Sequence, residues 1–580
     1  MKEDNLEIRR RHSGSHIMTA AVEMIKKVQL GVGPWIDNGF YQDFDFGDET
    51  ISEKDFKVIE KKMRWIVNKD MPIKKVIIGA EEARNICKDD RYKLELVEEI
   101  IKRGEDLSFY YIGESLEKAL SVNLCAGPHL ESTGQLGAFK LTKLSGAYWR
   151  GDEKNPQLQR VYGVAFKDKE ELDAYIYMME EAEKRDHRKL GKELDLFSFQ
   201  EAGPGFPFWH PNGTIVYTQL EQFVREENRK RGYAEVKTPI ILNKDLWVTS
   251  GHWDKFGENM YFTNIDEQEY AIKPMNCPGG LMIYKANQHS YRELPIRNGE
   301  FGLVHRHERS GVLHGLFRVR SFTQDDAHSF CTADQLNKEI VDMVEYAEDI
   351  YSAFGFKEYK IFIATRPEKY IGSDSEWENA TNALKSALEL KGLAYEIKEG
   401  EGAFYGPKIE FNIKDSIGRY WQCGTIQVDY SMPERFEATY IDAENKEQTP
   451  IMIHRAILGS MERFLGILIE HYAGAFPVWM APSQVHFVPV SNENHLKGVK
   501  EMAEKMKAMG IRVSVDDMDE TVGKKIRKAS KQKVPYVLVV GDNELSGEDL
   551  TVRVRGQEEQ EKMTVEVFVE RVLRETKERV

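Results

Sequence analysis

Cysteine is scarce in this chain: five residues in 580 (Cys87, Cys125, Cys277, Cys331 and Cys423), odd in number and widely scattered. That usage excludes a disulfide framework and points to a reducing compartment. Long apolar runs are missing too, and none approaches the ~18–20 residues that a membrane span needs. Residues 1–11 are charged and lack the apolar core of a secretory signal. These absences lead to the expectation of a cytoplasmic protein with no membrane partner. An excess of positive charge is also lacking. Lys and Arg number 81 against 96 Asp and Glu, giving a net charge of −15. A field of that sign opposes indiscriminate nucleic-acid binding, because phosphate contacts draw on positive charge, but it leaves room for a local basic patch. There is no repeat at a fixed period and no low-complexity segment.

What is present is a soluble-type balance, 41% hydrophobic and 31% charged, in a chain long enough for three or four domains. Residues 1–166 mix short strands and helices, and the pattern predicts a helix over 52–67 with Ser52 and Asp55 as a weak capping pair. Leu172, Tyr175, Met179 and Ala182 recur at helical spacing in 170–196, which reads as one long connecting helix. Segment 201–211 (EAGPGFPFWHP) is dense in Gly, Pro and aromatics and marks the start of a new domain. From 212 to 479 the chain reads as strand-rich, with helices at 218–231 and 333–354. After Pro482, apolar strands at 485–489, 512–515 and 534–540 alternate with helices, the signature of a compact α/β domain.

The most informative stretch is 304–330. From Arg318 to His328 the even positions are Arg318, Arg320, Phe322, Gln324, Asp326 and His328. On a strand these share one face. A solvated strand also alternates, but crowding two guanidiniums, an amide, a carboxylate and an imidazole together is costly unless they meet a ligand. Just upstream, Arg306 and Glu308 precede a glycine-containing loop at 309–315. The pattern Arg-x-Glu, loop, Arg-x-x-x-Phe-x-x-x-Asp resembles the second signature of class II aminoacyl-tRNA synthetases. That resemblance implies an antiparallel pair presenting Arg306 to the α-phosphate of ATP, Glu308 to the adenine amine and Arg318 to the γ-phosphate. A planar guanidinium suits phosphate oxygens better than an ammonium does. Segment 233–241 (YAEVKTPII) resembles the dimer-forming first signature, and 451–464 (IMIHRAILGSMERF) the third, with Arg463 aimed at the γ-phosphate. Only Gly459 remains there of the glycine-rich stretch common in the class.

Whole phrases narrow the resemblance: RDHRKLGKELDLF (185–197), SGHWDKF (250–256), IKPMNCPGG (272–280), RSFTQDDAHSFC (320–331), EGEGAFYGPKIEF (399–411), QCGTIQVD (422–429) and HRAILGSMERF (454–464). Together they are similar to the threonyl-tRNA synthetases across essentially all of the chain. The resemblance implies an α+β and α/β multidomain protein. Residues 1–166 would be an α+β editing domain, 167–200 a helical linker, 201–480 a class II antiparallel-sheet catalytic domain and 481–580 an α/β anticodon-binding domain. It implies ATP-dependent ligation of L-threonine to tRNA(Thr) by a homodimer, with Mg²⁺ accompanying ATP. Gln422 joins the ATP residues; Met275, Gln324, Asp326, Tyr405 and Lys408 line the substrate pocket; His252 and Gln427 lie near the transferring hydroxyl. Cys277, His328 and His454, unlinked by any spacing, are implied as ligands of one zinc ion per chain. Three protein ligands with an open position is the pattern of a catalytic zinc. A free-standing deacylase or a regulatory paralogue would be expected to lack one of these arginines or ligands, and none is missing.

Toward the N-terminus, His12 and His16 stand four apart on one helical face, and Cys125 and His129 are also four apart. Spacing alone reads as a metal site. The four resemble the editing domain shared by threonyl- and alanyl-tRNA synthetases, where mischarged Ser-tRNA(Thr) is hydrolysed, and Lys93 matches an editing-site lysine loosely. Some relatives carry a further histidine where this chain has Ala20. The four either bind a metal or orient water and the ester, and the reading adopted is metal-free. Members of the family often carry a ubiquitin-like domain ahead of this one; the expectation here is a form starting directly at the editing helix. At the other end, 523–533 (GKKIRKASKQK) is the densest basic run, and Glu544, Arg553 and Arg555 are candidate anticodon contacts.

Overall fold

Asn5 opens the first helix by accepting from the Glu7 N–H, and Leu6–Glu23 follows as a helix buried almost continuously from His12 to Val22. The computed structural model describes residues 5–580. The chain divides into two compact units, one running through Glu180 and one from Glu181 onward. Among the described residues, no helix is long and apolar enough to cross a membrane.

In the first unit the buried helix lies on an antiparallel sheet ordered Gln29–Leu30, Gly39–Asp45, Gln157–Phe166, Ala138–Tyr148. Gly14 permits the close approach, since a Cβ there would stand 2.5 Å from the Phe40 ring. Helix Phe56–Lys69 packs on the same helix, preceded by a 3-10 turn in which Ser52 and Asp55 form a capping box. The helix expected over 52–67 therefore begins later, and it ends at Asp70 in the left-handed region. A second, smaller sheet (Ile73–Ile77, Ser108–Ile112, Ser121–Leu124) accompanies helices Ala80–Cys87 and Arg91–Arg103, with Ala83, Val97 and Phe109 in their shared core.

The long connecting helix expected over 170–196 is two helices, Lys169–Arg185 and His187–Glu193. Asp186 breaks it: its carboxylate accepts the Arg188 N–H at 2.8 Å, a cap that competes with helix continuation. The second unit is built on an eight-stranded sheet. Its order is Ala234–Glu235, Ile296–His305, Ser321–Cys331, Ile451–Ala456, Tyr420–Asp429, Lys408–Lys414, Tyr359–Ala364, Glu396–Lys398. Pairing is antiparallel except at the two edges. One face packs on helices Pro211–Lys230, Leu336–Ala353, Asp374–Leu390 and Met461–His471 in the largest core, which takes Ala327, Cys331 and Ile453. The alternate residues Phe330 and Met452 turn to the other face, toward Cys277 and Leu281. The strand begins at Ser321, so Arg318 and Arg320 precede it: Arg320 N–H donates to Gly205 and its carbonyl accepts the Arg306 N–H.

Beyond this sheet lies a five-stranded one, ordered Val513–Val515, Val485–Pro489, Tyr536–Val540, Leu550–Val554, Gln560–Met563. Its first three strands are parallel and the rest antiparallel. Helices Asn492–Ala508, Val522–Lys531 and Val565–Glu578 complete this α/β layer.

Candidate functional site

Two cysteine–histidine clusters stand out, one in each unit. In the first unit His12 and His16 project from one face of helix Leu6–Glu23 and meet Cys125 and His129. The tautomers follow from the partners. Pro128 O, which can only accept, lies 3.1 Å from His12 Nδ1, so that nitrogen carries the proton and Nε2 offers a lone pair. Cys125 Sγ is 3.3 Å from His12 Nε2 and 3.2 Å from His129 Nε2. Its S–H donates to His12, and His129 Nε2–H donates back to sulfur. Ser13 Oγ, 3.2 Å from His129 Nδ1, supplies the remaining donor. The network closes on itself with every member neutral. His16 completes the set, its ring 4.1 Å from that of His129. Burial lowers the pKa of His12 to about 4 and holds that of His16 well below the usual imidazole range, the latter also repelled by His12 and Lys93. Lys93 is buried on helix Arg91–Arg103; burial lowers its pKa while Asp90 and Cys125 oppose the shift.

In the second unit, sheet register builds the site. His328 stands directly opposite His454, and His454 opposite Gln427 on the next strand. The two imidazoles are 5.1 Å apart between centroids and nearly perpendicular. Cys277, first residue of helix Cys277–Lys285, brings its sulfur to within 4.8 Å of both histidines. His454 Nε2 lies 3.1 Å from Asp429 Oδ2, which leaves Nδ1 for another partner. His328 Nε2 is buried with no hydrogen-bond partner among the described residues. Burial pushes the Cys277 thiol well up, helped by Asp326 and Asp429. Burial also drives His328 well below the usual imidazole range. An orphaned nitrogen, a buried thiol and a carboxylate-braced imidazole fit a bound zinc ion.

Around this cluster, Asp326 accepts from Asn276 Nδ2 at 3.1 Å. The Tyr405 ring lies 5.2 Å from that of His454, tilted by 50°, and Gln427 Nε2 donates to Gly406 O at 2.9 Å. His252 is fully buried, with Nδ1 2.8 Å from Ser250 Oγ and Nε2 2.8 Å from Met275 Sδ. Burial first, then His454 and Arg306, lower its pKa to about 3, so its imidazole is neutral. Gln324 lies on the same strand face as Asp326 and His328, and Lys408 pairs with Glu410 at 2.7 Å.

Arg306 and Arg318 flank the ends of paired strands, and Arg463 lies in the first turn of helix Met461–His471. Arg306 donates to Pro274 O at 3.2 Å, its guanidinium 5.0 Å from the Phe322 ring and 5.4 Å from Phe256. Arg318, exposed, pairs with Glu308 at 3.0 Å. Arg463 donates from Nε to Gln422 O at 3.0 Å and from Nη1 to Phe317 O at 3.3 Å. The candidate anticodon residues are more committed. Glu544 caps Gly541 N at 2.9 Å, and Arg555 donates to the carbonyls of Lys533 and Phe476. In the basic run Lys525 is buried on Asn492, and Lys524 and Lys528 both pair with Glu520. Arg527, Lys531 and Arg553 have no such ion pairs among the described residues.

Two contributors escaped the sequence reading. Asp429, two residues from Gln427 and hence on its face, braces His454; period-two spacing was the available signal. Ser13, beside His12, orients His129; no spacing links them.

The class II core domain profile of the G, H, P, S and T synthetases matches residues 261–472, an anticodon-binding domain profile matches 484–575, and the threonyl and alanyl second additional domain matches 107–162. The last range includes Cys125 and His129 but not His12 and His16. The chain is 54% identical to the threonine–tRNA ligase of Caldanaerobacter subterraneus subsp. tengcongensis, over 97% of this chain and 86% of that one. It is 53% identical to that of Thermotoga maritima, over 97% and 87%. A crystal structure of the RNA binding domain of threonyl-tRNA synthetase from Cryptosporidium parvum Iowa II superposes with a TM-score of 0.65 at 41% identity, covering 67% of this chain and 98% of that one.

Proposed function

Since the chain belongs to the threonyl-tRNA synthetase family, and is therefore a threonine–tRNA ligase with an editing domain, we propose the following roles for its residues. Segments 1–166, 167–200, 201–480 and 481–580 serve as editing domain, linker, catalytic domain and anticodon-binding domain. The threonine carboxylate attacks the α-phosphorus of ATP, releasing pyrophosphate and forming threonyl-adenylate. The terminal 3′-hydroxyl of tRNA(Thr) then attacks the activated carbonyl and AMP leaves. Phosphoryl chemistry of this kind rests on positioning and charge stabilisation, and Mg²⁺ arriving with ATP would supply part of that charge. Arg306, held between aromatic rings, takes the α-phosphate; Glu308 and Gln422 frame the adenosine; Arg318 and Arg463 hold the γ-phosphate.

Cys277, His328 and His454 would hold a zinc ion, which when bound would supply Lewis-acid chemistry toward the amino group and hydroxyl of threonine. Asp326 pairs with the substrate ammonium, and Met275, Gln324, Tyr405 and Lys408 shape the pocket. His252, neutral, accepts the proton of the 3′-hydroxyl, and Gln427 orients that hydroxyl. A site that engages the hydroxyl rejects valine, whereas serine differs by one methyl, worth only ~1–3 kcal/mol. Serine leakage explains the need for the first unit, in which His12, His16, Lys93, Cys125 and His129 orient water at the ester of Ser-tRNA(Thr), without a metal. The exposed Arg527 and Lys531, with Arg553, meet the anticodon arm, while Glu544 and Arg555 shape the fold around it. A second copy docks on the 233–241 segment, where Ile240 and Ile241 are 41% and 48% exposed. The enzyme works in the cytoplasm.

The observation that carries this reading is the register that lines His328, His454 and Gln427 along one sheet face, with His328 Nε2 unpartnered. ATP–pyrophosphate exchange with threonine, serine and valine in parallel tests it. Threonine should react fastest, serine measurably, and valine ~10⁴-fold more slowly or less. Arg306→Ala should lower the maximal exchange rate by ~100-fold, the scale of one preorganised charge donor. A change confined to the KM for ATP counts against the role given to Arg306.

A further inference from the structure

A third cluster, Asp186, His187 and Glu470, lies within ligand distance but is not built for a metal. His187 is fully buried, and both ring nitrogens are used. The Leu316 N–H donates to His187 Nε2 at 3.0 Å, so that nitrogen is the acceptor. Nδ1 therefore carries the proton and donates to Glu470 Oε1 at 2.7 Å, which also takes the His187 backbone N–H at 3.0 Å. Arg419 pairs with the other Glu470 oxygen at 2.6 Å. The imidazole thus joins three segments: the short helix His187–Glu193, the helix Met461–His471 that carries Arg463, and the turn Gly315–Phe317 just before Arg318.

Gly315 has φ +48°, and a Cβ there would stand 2.1 Å from His187 Nε2. The next two residues lead into the ATP arginines. Phe317 packs 4.1 Å from the His187 ring and 4.4 Å from Trp421, and its carbonyl accepts Arg463 Nη1. Arg318 follows directly and pairs with Glu308. We propose that His187 is a positioning residue for the ATP site: by accepting the Leu316 N–H while anchored on Glu470, it fixes the turn that presents Arg318 and buttresses Arg463. The proposal rests on the assignment of these two arginines to the γ-phosphate.

Exchange kinetics on the full-length enzyme test it, with Arg318→Ala as reference. His187→Phe, which keeps the ring but removes the acceptor, should raise the KM for ATP about tenfold, the scale of one hydrogen bond to a buried donor. Gly315→Ala should do the same, with the KM for threonine and the zinc content unchanged in both. His187→Gln, whose amide oxygen reaches toward the Nε2 position, should recover most of the loss; His187→Asn, which reaches only toward Glu470, should not. A merely structural histidine would not separate Gln from Asn. The Gln–Asn pair and Gly315→Ala keep the test decisive if the Phe variant fails to fold. Equal Gln and Asn variants, or a threonine KM rising in parallel, overturn the relay. An unchanged KM for ATP in Arg318→Ala overturns instead the assignment on which it stands.

Discussion

The two cysteine–histidine clusters contain nearly the same side chains and differ in how completely they satisfy one another. In the first unit, Cys125 bonds two imidazoles, and Pro128 and Ser13 take up the outer nitrogens of His12 and His129. In the second, His328 Nε2 makes no hydrogen bond among the described residues, with Asp326 Oδ1 3.7 Å away, and Asp429 braces His454 from behind. A buried donor or acceptor left unmade costs roughly 1–3 kcal/mol, a cost that a ligand on the open nitrogen would relieve. Residue type alone therefore does not mark a metal site. The hydrogen bonds already made within the cluster distinguish the two.

The largest effect should come from breaking the open cluster. Cys277→Ser should lose the zinc together with threonine activation, measured by metal analysis and pyrophosphate exchange on the same sample. Threonine activation that survives chelation and dialysis of the wild-type enzyme would break the contrast. The closed cluster should respond in the opposite sense. His16→Ala with Cys125→Ala should leave zinc content and threonine charging intact while deacylation of Ser-tRNA(Thr) falls by ~10²-fold or more, the usual reach of positioned acid–base groups. Should the wild-type chain accumulate as much Ser-tRNA(Thr) as the variant, the first unit is not editing, and Ala20 becomes the first residue to question.

Asp429→Asn sharpens the comparison more gently. It keeps the shape but weakens the brace on His454, so zinc affinity should fall ~10–100-fold, read by competition with a chelator. The smallest effect is on pH dependence. His12, His16 and His129 all have folded pKa values below the ~6.5 of an unfolded histidine. The unfolded chain then binds more protons than the folded one, so stability falls as pH drops through 6.5 and, for His12, keeps falling to about 4. Thermal unfolding of the first unit should move down by a few degrees between pH 7 and pH 5, and added zinc should not restore it. In the second unit acid acts through competition between protons and metal for the same nitrogens, so added zinc should restore it.

Much of this was legible in the sequence where spacing reports geometry. His12 and His16 share a helix face because they are four apart, and Gln324, Asp326 and His328 share a strand face because they alternate. Arg318 and Arg320 fit that alternation in sequence, yet they lie before the strand: the Arg320 carbonyl still takes the Arg306 N–H, while its own N–H turns to Gly205. What spacing does not report is pairing between distant segments. Cys277, His328 and His454 became a set through family resemblance, and the register of two strands with one helix start is what brings them together. The break at Asp186 was hidden because Leu172, Tyr175, Met179 and Ala182 keep the helical period up to it; the competing cap is local, Asp186 to the Arg188 N–H, and only the Glu470 contact is set by tertiary structure. The basic run at 523–533 reads as a nucleic-acid face by composition, yet three of its lysines are held by Asn492 and Glu520.

Zinc stoichiometry tests the central contrast most directly. Protein purified without added metal should carry one zinc per chain, retained when His12, His16 and Cys125 are all replaced by alanine and absent in Cys277→Ser. Two zinc ions per chain, or one that disappears with the N-terminal substitutions and survives in Cys277→Ser, would contradict the account.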